Sequence, residues 1–222
     1  MTDQPFATVI AMLMAALAAV MTLGAPVQAR AQAADFNFYV LSLSWSPTFC
    51  ASPKGDRNPA QCGREREYGF IVHGLWPQYE RGYPEYCRSR EPARVPRSTG
   101  DIVFDIMPSM GLIGHQWRKH GSCTGLTQRA YFEATRQAFE RIRIPADLAD
   151  GDERLTLPAA VIERKFVEAN PGMSPRGIAA SCEGRRLEDI RICMTKDFRF
   201  RDCAEVDRGG CRLSQVELPA SE

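Results

Sequence analysis

His115-Gln116-Trp117-Arg118-Lys119-His120-Gly121-Ser122-Cys123 is the stretch around which the chain is organised. It holds two of the protein's 3 histidines and one of its four lysines; the other 24 cationic residues are arginines. A helical turn over 114–120 brings Gln116, Lys119 and His120 to one face, because residues three and four apart are neighbours on a helix. His115 and Lys119 are also four apart, so the two histidines flank a cationic strip. An imidazole that titrates near neutrality, a fixed ammonium and a second imidazole suit chemistry on an anion. Gly121 is expected to end the helix in a left-handed cap. The plainer alternative is a solvated helix face whose charges do nothing.

The third histidine lies in Phe70-Ile71-Val72-His73-Gly74-Leu75-Trp76-Pro77-Gln78. Tyr68 to Val72 reads as a short strand, apolar and partly β-branched. Gly74 and Pro77 are expected to break it, leaving His73 at a strand end where a side chain faces a cleft. All three histidines therefore fall inside two compact motifs.

These motifs, His-Gly-Leu-Trp-Pro and His-Gln-Trp-Arg-Lys-His-Gly-Ser-Cys, closely resemble the two active-site segments of the ribonuclease T2 family. They come in the same order, and a cysteine closes the second. The resemblance runs from about Phe36 to Cys211. It implies an α+β fold: a single domain with a central antiparallel sheet, packed helices and four disulfides. It also implies a periplasmic or secreted protein that cleaves RNA without a metal or other cofactor. One departure stands out: the family usually has Glu where this chain has Gln116.

By the resemblance, His120 is the general base, His73 the general acid and His115 a phosphate ligand. Lys119 stabilises charge in the transition state. RNA carries its own nucleophile, the 2′-hydroxyl, so a base, an acid and cations suffice. The product is a 2′,3′-cyclic phosphate, hydrolysed later to a 3′-phosphate. Gln116 can donate a hydrogen bond to phosphate but cannot carry a proton. Without the carboxylate, the neighbouring histidines should have lower pKa values. Trp76 is expected to stack on a base, with Gln78 and Tyr79 as secondary contacts and Pro108-Ser109 as a second base site. The partner is single-stranded RNA and not DNA, with no membrane in the mature form and a monomeric protein. Two alternatives stay open: a weakened RNA-binding or inhibitory pseudoenzyme, and a zinc hydrolase using His73, His115 and His120. Three histidines can hold zinc, but neither motif contains a carboxylate to orient them.

Composition sets the compartment. The formal net charge is +1 over 222 residues, so RNA affinity must come from a local patch. Residues 1–33 read as a signal peptide and 34–222 as the catalytic domain. Ala7 to Leu23 is an apolar run, and Ala31-Gln32-Ala33 is an Ala-x-Ala cleavage signal, with Val27-Gln28-Ala29 as a second. The start carries Asp3 and no Lys or Arg, which is poor for a signal. The run is also short for the alternative, an uncleaved membrane anchor. All 8 cysteines lie beyond it, and an even count behind a secretory signal suggests disulfides. The resemblance implies Cys50–Cys62, Cys87–Cys123, Cys182–Cys211 and Cys193–Cys203. Zinc ligation lacks any Cys-x-x-Cys pair, and Cys123 as a nucleophile is disfavoured by the even count.

The rest of the chain reads in order. Phe36 to Trp45 alternates and is aromatic-rich, a strand. Residues 47–66 form a polar loop with three prolines. Residues 78–100 interleave Arg81, Arg88, Arg90, Arg94 and Arg97 with Tyr79, Tyr83 and Tyr86, which suits single-stranded nucleic acid. A solvated loop, its charge partly cancelled by Glu80, Glu85 and Glu91, fits equally. Asp101 to Met107 is a short helix ended by Pro108. Ala130 to Ile144 and Pro158 to Ala169 are amphipathic helices. Gly177–Cys182 and Leu187–Thr195 are strands, the latter alternating imperfectly.

Overall fold

The strand Phe38–Trp45 (β1) is the centre of the molecule, and its alternation decides what lies on each side. Tyr39, Leu41, Leu43 and Trp45 point into the main core, while Phe38 and Val40 join Cys193, Cys203 and Trp76 in a smaller cluster on the opposite face. A period of two does this automatically. The computed structural model describes residues 35–63, 68–149 and 151–221. The segment read as a signal peptide, with its cleavage signals, lies outside the described residues.

Two long strands flank β1. Phe70–Gln78 (β2) pairs with it on one side and Arg186–Met194 (β5) on the other, both antiparallel. Ile178–Glu183 (β4) pairs antiparallel with β5. Leu155–Leu157 (β3) and Val216–Leu218 (β6) form a short antiparallel ribbon. The ribbon meets β5 through one parallel bridge, Arg186 to Glu217. The sheet is otherwise antiparallel, as expected.

Seven helices occur among the described residues: Ser46–Cys50 (α1), Pro59–Cys62 (α2), Arg97–Gly100 (α3), Met110–Lys119 (α4), Gln128–Glu140 (α5), Ala159–Ala169 (α6) and Ala204–Arg208 (α7). The loop over 47–66 is thus partly helical. Proline in the first turn starts both α1 and α2, where its missing N–H costs nothing. The helix expected over Asp101–Met107 is displaced. Its first turn is α3, nucleated on the Pro96 carbonyl, and Asp101 to Ile106 continue only as turns. The helix expected from Ala130 starts earlier because Thr127 caps it, accepting from the Ala130 N–H. Ile113 and Trp117 of α4, Tyr131 and Phe132 of α5, and Ile162 and Phe166 of α6 are all buried on one face of the sheet with Leu41 and Leu43.

The cysteines are bridged as Cys50–Cys62, Cys87–Cys123, Cys182–Cys211 and Cys193–Cys203, with Cα separations of 5.4, 4.9, 5.9 and 6.2 Å. No cysteine is free, so a Cys123 nucleophile is ruled out in this state. Among the described residues no helix is long and apolar enough to cross a membrane.

Candidate active site

The first motif does not end its strand. β2 runs through Gly74 and Pro77 to Gln78. The break is a bulge: Ser42 of β1 faces Gly74 and Leu43 faces Val72, so His73 is the extra, unpaired residue. A bulge bends the strand and re-aims one side chain. Here it turns His73 out of the ladder, with its side chain 34% exposed. Gly74 is needed for another reason. A Cβ there would lie 2.2 Å from Gln116 Oε1 and 2.6 Å from Trp76 Nε1, so the two motifs touch at this backbone position.

The second motif is α4 and its cap. Ser109 is the N-cap, its hydroxyl accepting from the Leu112 N–H at 3.3 Å and donating to Asn58 Oδ1 at 3.1 Å. His120 is the C-cap, its N–H bonded to the Gln116 carbonyl at 2.9 Å. Gly121 does not take the expected left-handed cap: it opens a 3-10 turn over Gly121–Cys123 and has no positive φ. Its lack of a side chain serves packing, because a Cβ would sit 2.5 Å from the Trp117 ring and 2.8 Å from Tyr131.

Trp76 joins the histidines. Its indole stacks on His120 at 5.2 Å between centroids and 26° between planes. It meets His73 edge-on at 5.4 Å and 78°. Its N–H donates to Gln116 Oε1 at 2.8 Å. The Trp76 ring, partly exposed, is thus in contact with both histidines. Gln116 and His120 are buried, at 1% and 4% exposure, so they lie below Lys119 and His115 rather than sharing an open strip with them.

Burial is the main force on the His120 imidazole. It pushes the pKa down to about 3, helped by the charges of Lys119, His73 and His115. His115 is also lowered, first by burial and then by Lys119, Arg118 and His73. The mutual influence places all three histidines and Lys119 in one electrostatic neighbourhood. The Lys119 ammonium is 3.7 Å from Glu85 and 5.9 Å from the centre of the Tyr83 ring.

The loop after β2 is strapped over the end of α4. The Tyr86 N–H bonds the Lys119 carbonyl at 2.9 Å, the Trp117 indole N–H bonds the Pro92 carbonyl at 2.8 Å, and Cys87–Cys123 closes the strap. This leaves Tyr79, Tyr83 and Tyr86 exposed at 38%, 48% and 59%. Tyr83 lies 6.1 Å from His120 between ring centres. The other anticipated base contacts fare differently. Gln78 is 8% exposed, Pro108 is buried, and the Ser109 hydroxyl is committed to its cap. Ser109 caps the start of α4.

Sequence reading missed Asp189 and Arg191. Both project from β5, their registers opposite Ser44 and Ser42 of β1. Asp189 is 1% exposed, accepts from Arg191 Nε at 3.0 Å, and places Oδ2 3.9 Å from His73 Nδ1. The available signal was a pair of opposite charges two apart, flanking Ile190 in the strand. Among the described residues no group of three His, Cys, Asp or Glu side chains is gathered to hold a metal ion.

The Ribonuclease T2 family model matches residues 36–203. A ribonuclease of Aeromonas hydrophila is 36% identical over 177 residues, covering 77% of each chain. A probable ribonuclease of Haemophilus influenzae is 34% identical over 182 residues, covering 77% of this chain and 62% of that one. Among solved structures, an RNase-related protein from Calystegia sepium superposes with a TM-score of 0.64 at 21% identity, over 84% of this chain and 98% of its own. RNase NT in complex with 5′-AMP gives 0.62 at 24%, over 84% and 99%. The structural likenesses show the fold; the family match and the bacterial relatives carry the assignment. This chain belongs to the ribonuclease T2 family.

Proposed function

We propose that this endoribonuclease cuts single-stranded RNA without a metal ion, through the substrate's own 2′-hydroxyl. The observation that carries the reading is His120: an imidazole kept neutral by burial, stacked on Trp76, and surrounded by His73, His115 and Lys119. A neutral imidazole is a proton acceptor. His120 takes the 2′-hydroxyl proton as that oxygen attacks phosphorus. His73, the most open to solvent of the two Trp76 neighbours, gives a proton to the departing 5′-oxygen. His115 and Lys119 hold the phosphate, and the Gln116 amide N–H donates to it, since Trp76 occupies the amide oxygen. Fixed donors and charges aimed at the transition state supply much of the rate. The 2′,3′-cyclic phosphate leaves or is hydrolysed to a 3′-phosphate.

The exposed tyrosines offer further surfaces for bases beside Trp76. Tyr83 beside Lys119 and His120 is the first platform, and Tyr79 and Tyr86 extend it. Stacking on such rings contributes roughly 1–3 kcal/mol per base and tolerates any sequence. DNA lacks the 2′-hydroxyl and is not cut. Four disulfides fit an oxidising compartment, and with it residues 1–33 as a signal peptide and a mature protein that works in the periplasm or outside the cell.

Gln116 favours one second reading, a pseudoenzyme that binds RNA but cuts it poorly. One experiment separates these and the zinc alternative. Purified protein is incubated with RNA and matched DNA in excess chelator, and the product ends are identified. Cut RNA with cyclic or 3′-phosphate ends and intact DNA is the expected result. Activity lost in chelator and restored by zinc would sink the reading, and binding without cleavage would establish the pseudoenzyme.

A further inference from the structure

His73 leans on a carboxylate that neither motif contains. Asp189 stands on β5, and β1 lies between it and β2. Two strand spacings separate the backbones, about 10 Å. The side chains bridge that gap because the β1 residues in register with Arg191 and Asp189 are the small Ser42 and Ser44. Two bulges align the pair. One frees His73 from the ladder between Gly74 and Val72. The other makes Glu188 an extra residue in β5, since Ser181 faces Asp189 while Cys182 faces Leu187. That slip turns Asp189 away from the core side that Leu187 and Ile190 occupy.

The polar atoms agree with this alignment. His73 Nδ1 is buried and has no hydrogen-bond partner. The nearest carboxylate oxygen, Asp189 Oδ2, is 3.9 Å away, a gap that a small side-chain rotation or one bridging water closes. Catalytic hydrogen bonds are often this long before substrate arrives. The other oxygen, Oδ1, accepts from Arg191 Nε. Arg191 is itself held, donating to Ser181 Oγ at 3.2 Å and lying 5.7 Å from the centre of the Trp76 ring. Ser181 donates in turn to Glu188 at 2.9 Å. Asp189 is thus fixed on one side and has one oxygen left for His73. A buried carboxylate with only half its charge answered is costly. A proton on His73 Nδ1 answers the rest.

We propose that Asp189 is a positioning residue for the RNA-cleaving reaction. It keeps a proton on His73 Nδ1 and so presents Nε2 to the leaving 5′-oxygen. The site's carboxylate comes from the sheet, and α4 carries Gln116 in its place. The inference rests on His73 as the general acid. In the step itself, the Nε2–H proton of the His73 imidazolium passes to the 5′-oxygen as the phosphorus–oxygen bond breaks. His73 is left neutral with Nδ1–H still bonded to Asp189. Hydrolysis of the cyclic phosphate returns a proton from water to Nε2. The charged and titratable groups facing His73 are Asp189 and Arg191 from β5 and His115 and His120 from α4 with its cap.

The test compares two substrates with the same nucleoside: a dinucleotide, whose alkoxide leaving group needs an acid, and a 3′-(4-nitrophenyl) phosphate, whose leaving group does not. His73→Ala probes the parent reading, and equal losses on both substrates would remove His73 as the acid. Asp189→Asn probes the inference. It should lower kcat on the dinucleotide by about tenfold or more, with KM little changed. Its alkaline limb should move to lower pH, and the nitrophenyl substrate should be nearly spared. Added to His73→Ala, it should do no further harm. A merely structural role would reduce both substrates alike and add to His73→Ala, and that overturns the inference. If Asp189→Asn does not fold, 15N chemical shifts of His73 in the wild-type protein decide: a proton on Nδ1 supports the assignment, and a proton on Nε2 alone refutes it.

Discussion

The indole N–H of Trp76 donates to the side-chain oxygen of Gln116 at 2.8 Å, so the two active-site motifs are tied by one partly buried hydrogen bond. An indole N–H can only donate, which fixes the amide with its oxygen toward Trp76 and its nitrogen away. Trp76→Phe keeps an aromatic surface for His120 but releases the amide. The bond contributes about 0.5–1.5 kcal/mol. We therefore expect kcat/KM on a dinucleotide to fall by about tenfold or less. A loss beyond about 100-fold would mean that Trp76 itself contacts the substrate.

Gly74 should be less forgiving. Its missing Cβ makes room for Gln116 and Trp76 at distances no side chain tolerates. Gly74→Ala must displace both, and with them the stack on His120. A displacement of about 1 Å at reacting groups costs about 100-fold. The stability cost of overpacking is about 1–3 kcal/mol. Kinetics and urea unfolding of the same variant should show both losses. Normal activity with only reduced stability would separate this packing from catalysis.

The strap over α4 makes a third prediction. Cys87–Cys123 spans 36 residues and Cys50–Cys62 spans 12. By loop entropy the longer span should contribute about 1 kcal/mol more to stability. Paired Cys→Ser variants, compared by urea unfolding, check that difference. Removing the Cys87–Cys123 bridge should also raise KM, because it loosens the tyrosine loop, while removing the other should not. Equal KM values in the two variants would show that the loop is held by its hydrogen bonds to the Lys119 carbonyl and the Trp117 indole alone.

The long elements were legible because each carries enough side chains to state its period. β1 is apolar and aromatic and alternates with serine over Leu41–Trp45, and α5 shows a core face of Tyr131, Phe132, Thr135 and Ala138. The two histidine motifs were legible because their residue types are rare in this chain. Bulges were not. A single extra residue leaves the local pattern nearly intact, so β2 looked broken at Gly74 when it had only slipped at His73. The imperfect alternation of β5 was the same phenomenon at Glu188, and it concealed Asp189. Strands of three residues, β3 and β6, are too short for any period to show. A hydroxyl beside a proline suits both a base contact and a helix cap, and the cap role of Ser109 shows only through its partners, Leu112 and Asn58.

Gln116→Glu tests the whole electrostatic account. In the native site His120 is buried and its pKa is lowered to about 3, so it stays neutral across the working range. A Glu side chain at 116 would accept the same Trp76 N–H and bring a negative charge one helical turn from His120 and beside Lys119. A nearby anion favours imidazolium, so the His120 pKa must rise. The rate falls where the base becomes protonated, and the acidic limb of the pH–rate profile therefore moves to higher pH. The same sign applies to stability. A buried neutral imidazole takes up fewer protons than the unfolded chain, so the native protein loses stability as pH falls from about 6.5 toward 3. The variant should lose less over that window. The carboxylate also exchanges a proton with phosphate, which the amide cannot, and we expect a higher maximal rate by about tenfold or less, or about 1.4 kcal/mol of barrier. His120→Ala should cost about 100-fold or more on the same substrate. The measurements are pH–rate profiles on one dinucleotide and an NMR titration of His120. An acidic limb and a His120 titration that both stay in place in Gln116→Glu would show that residue 116 does not act on His120. A fully active His120→Ala would take the base away from α4 altogether.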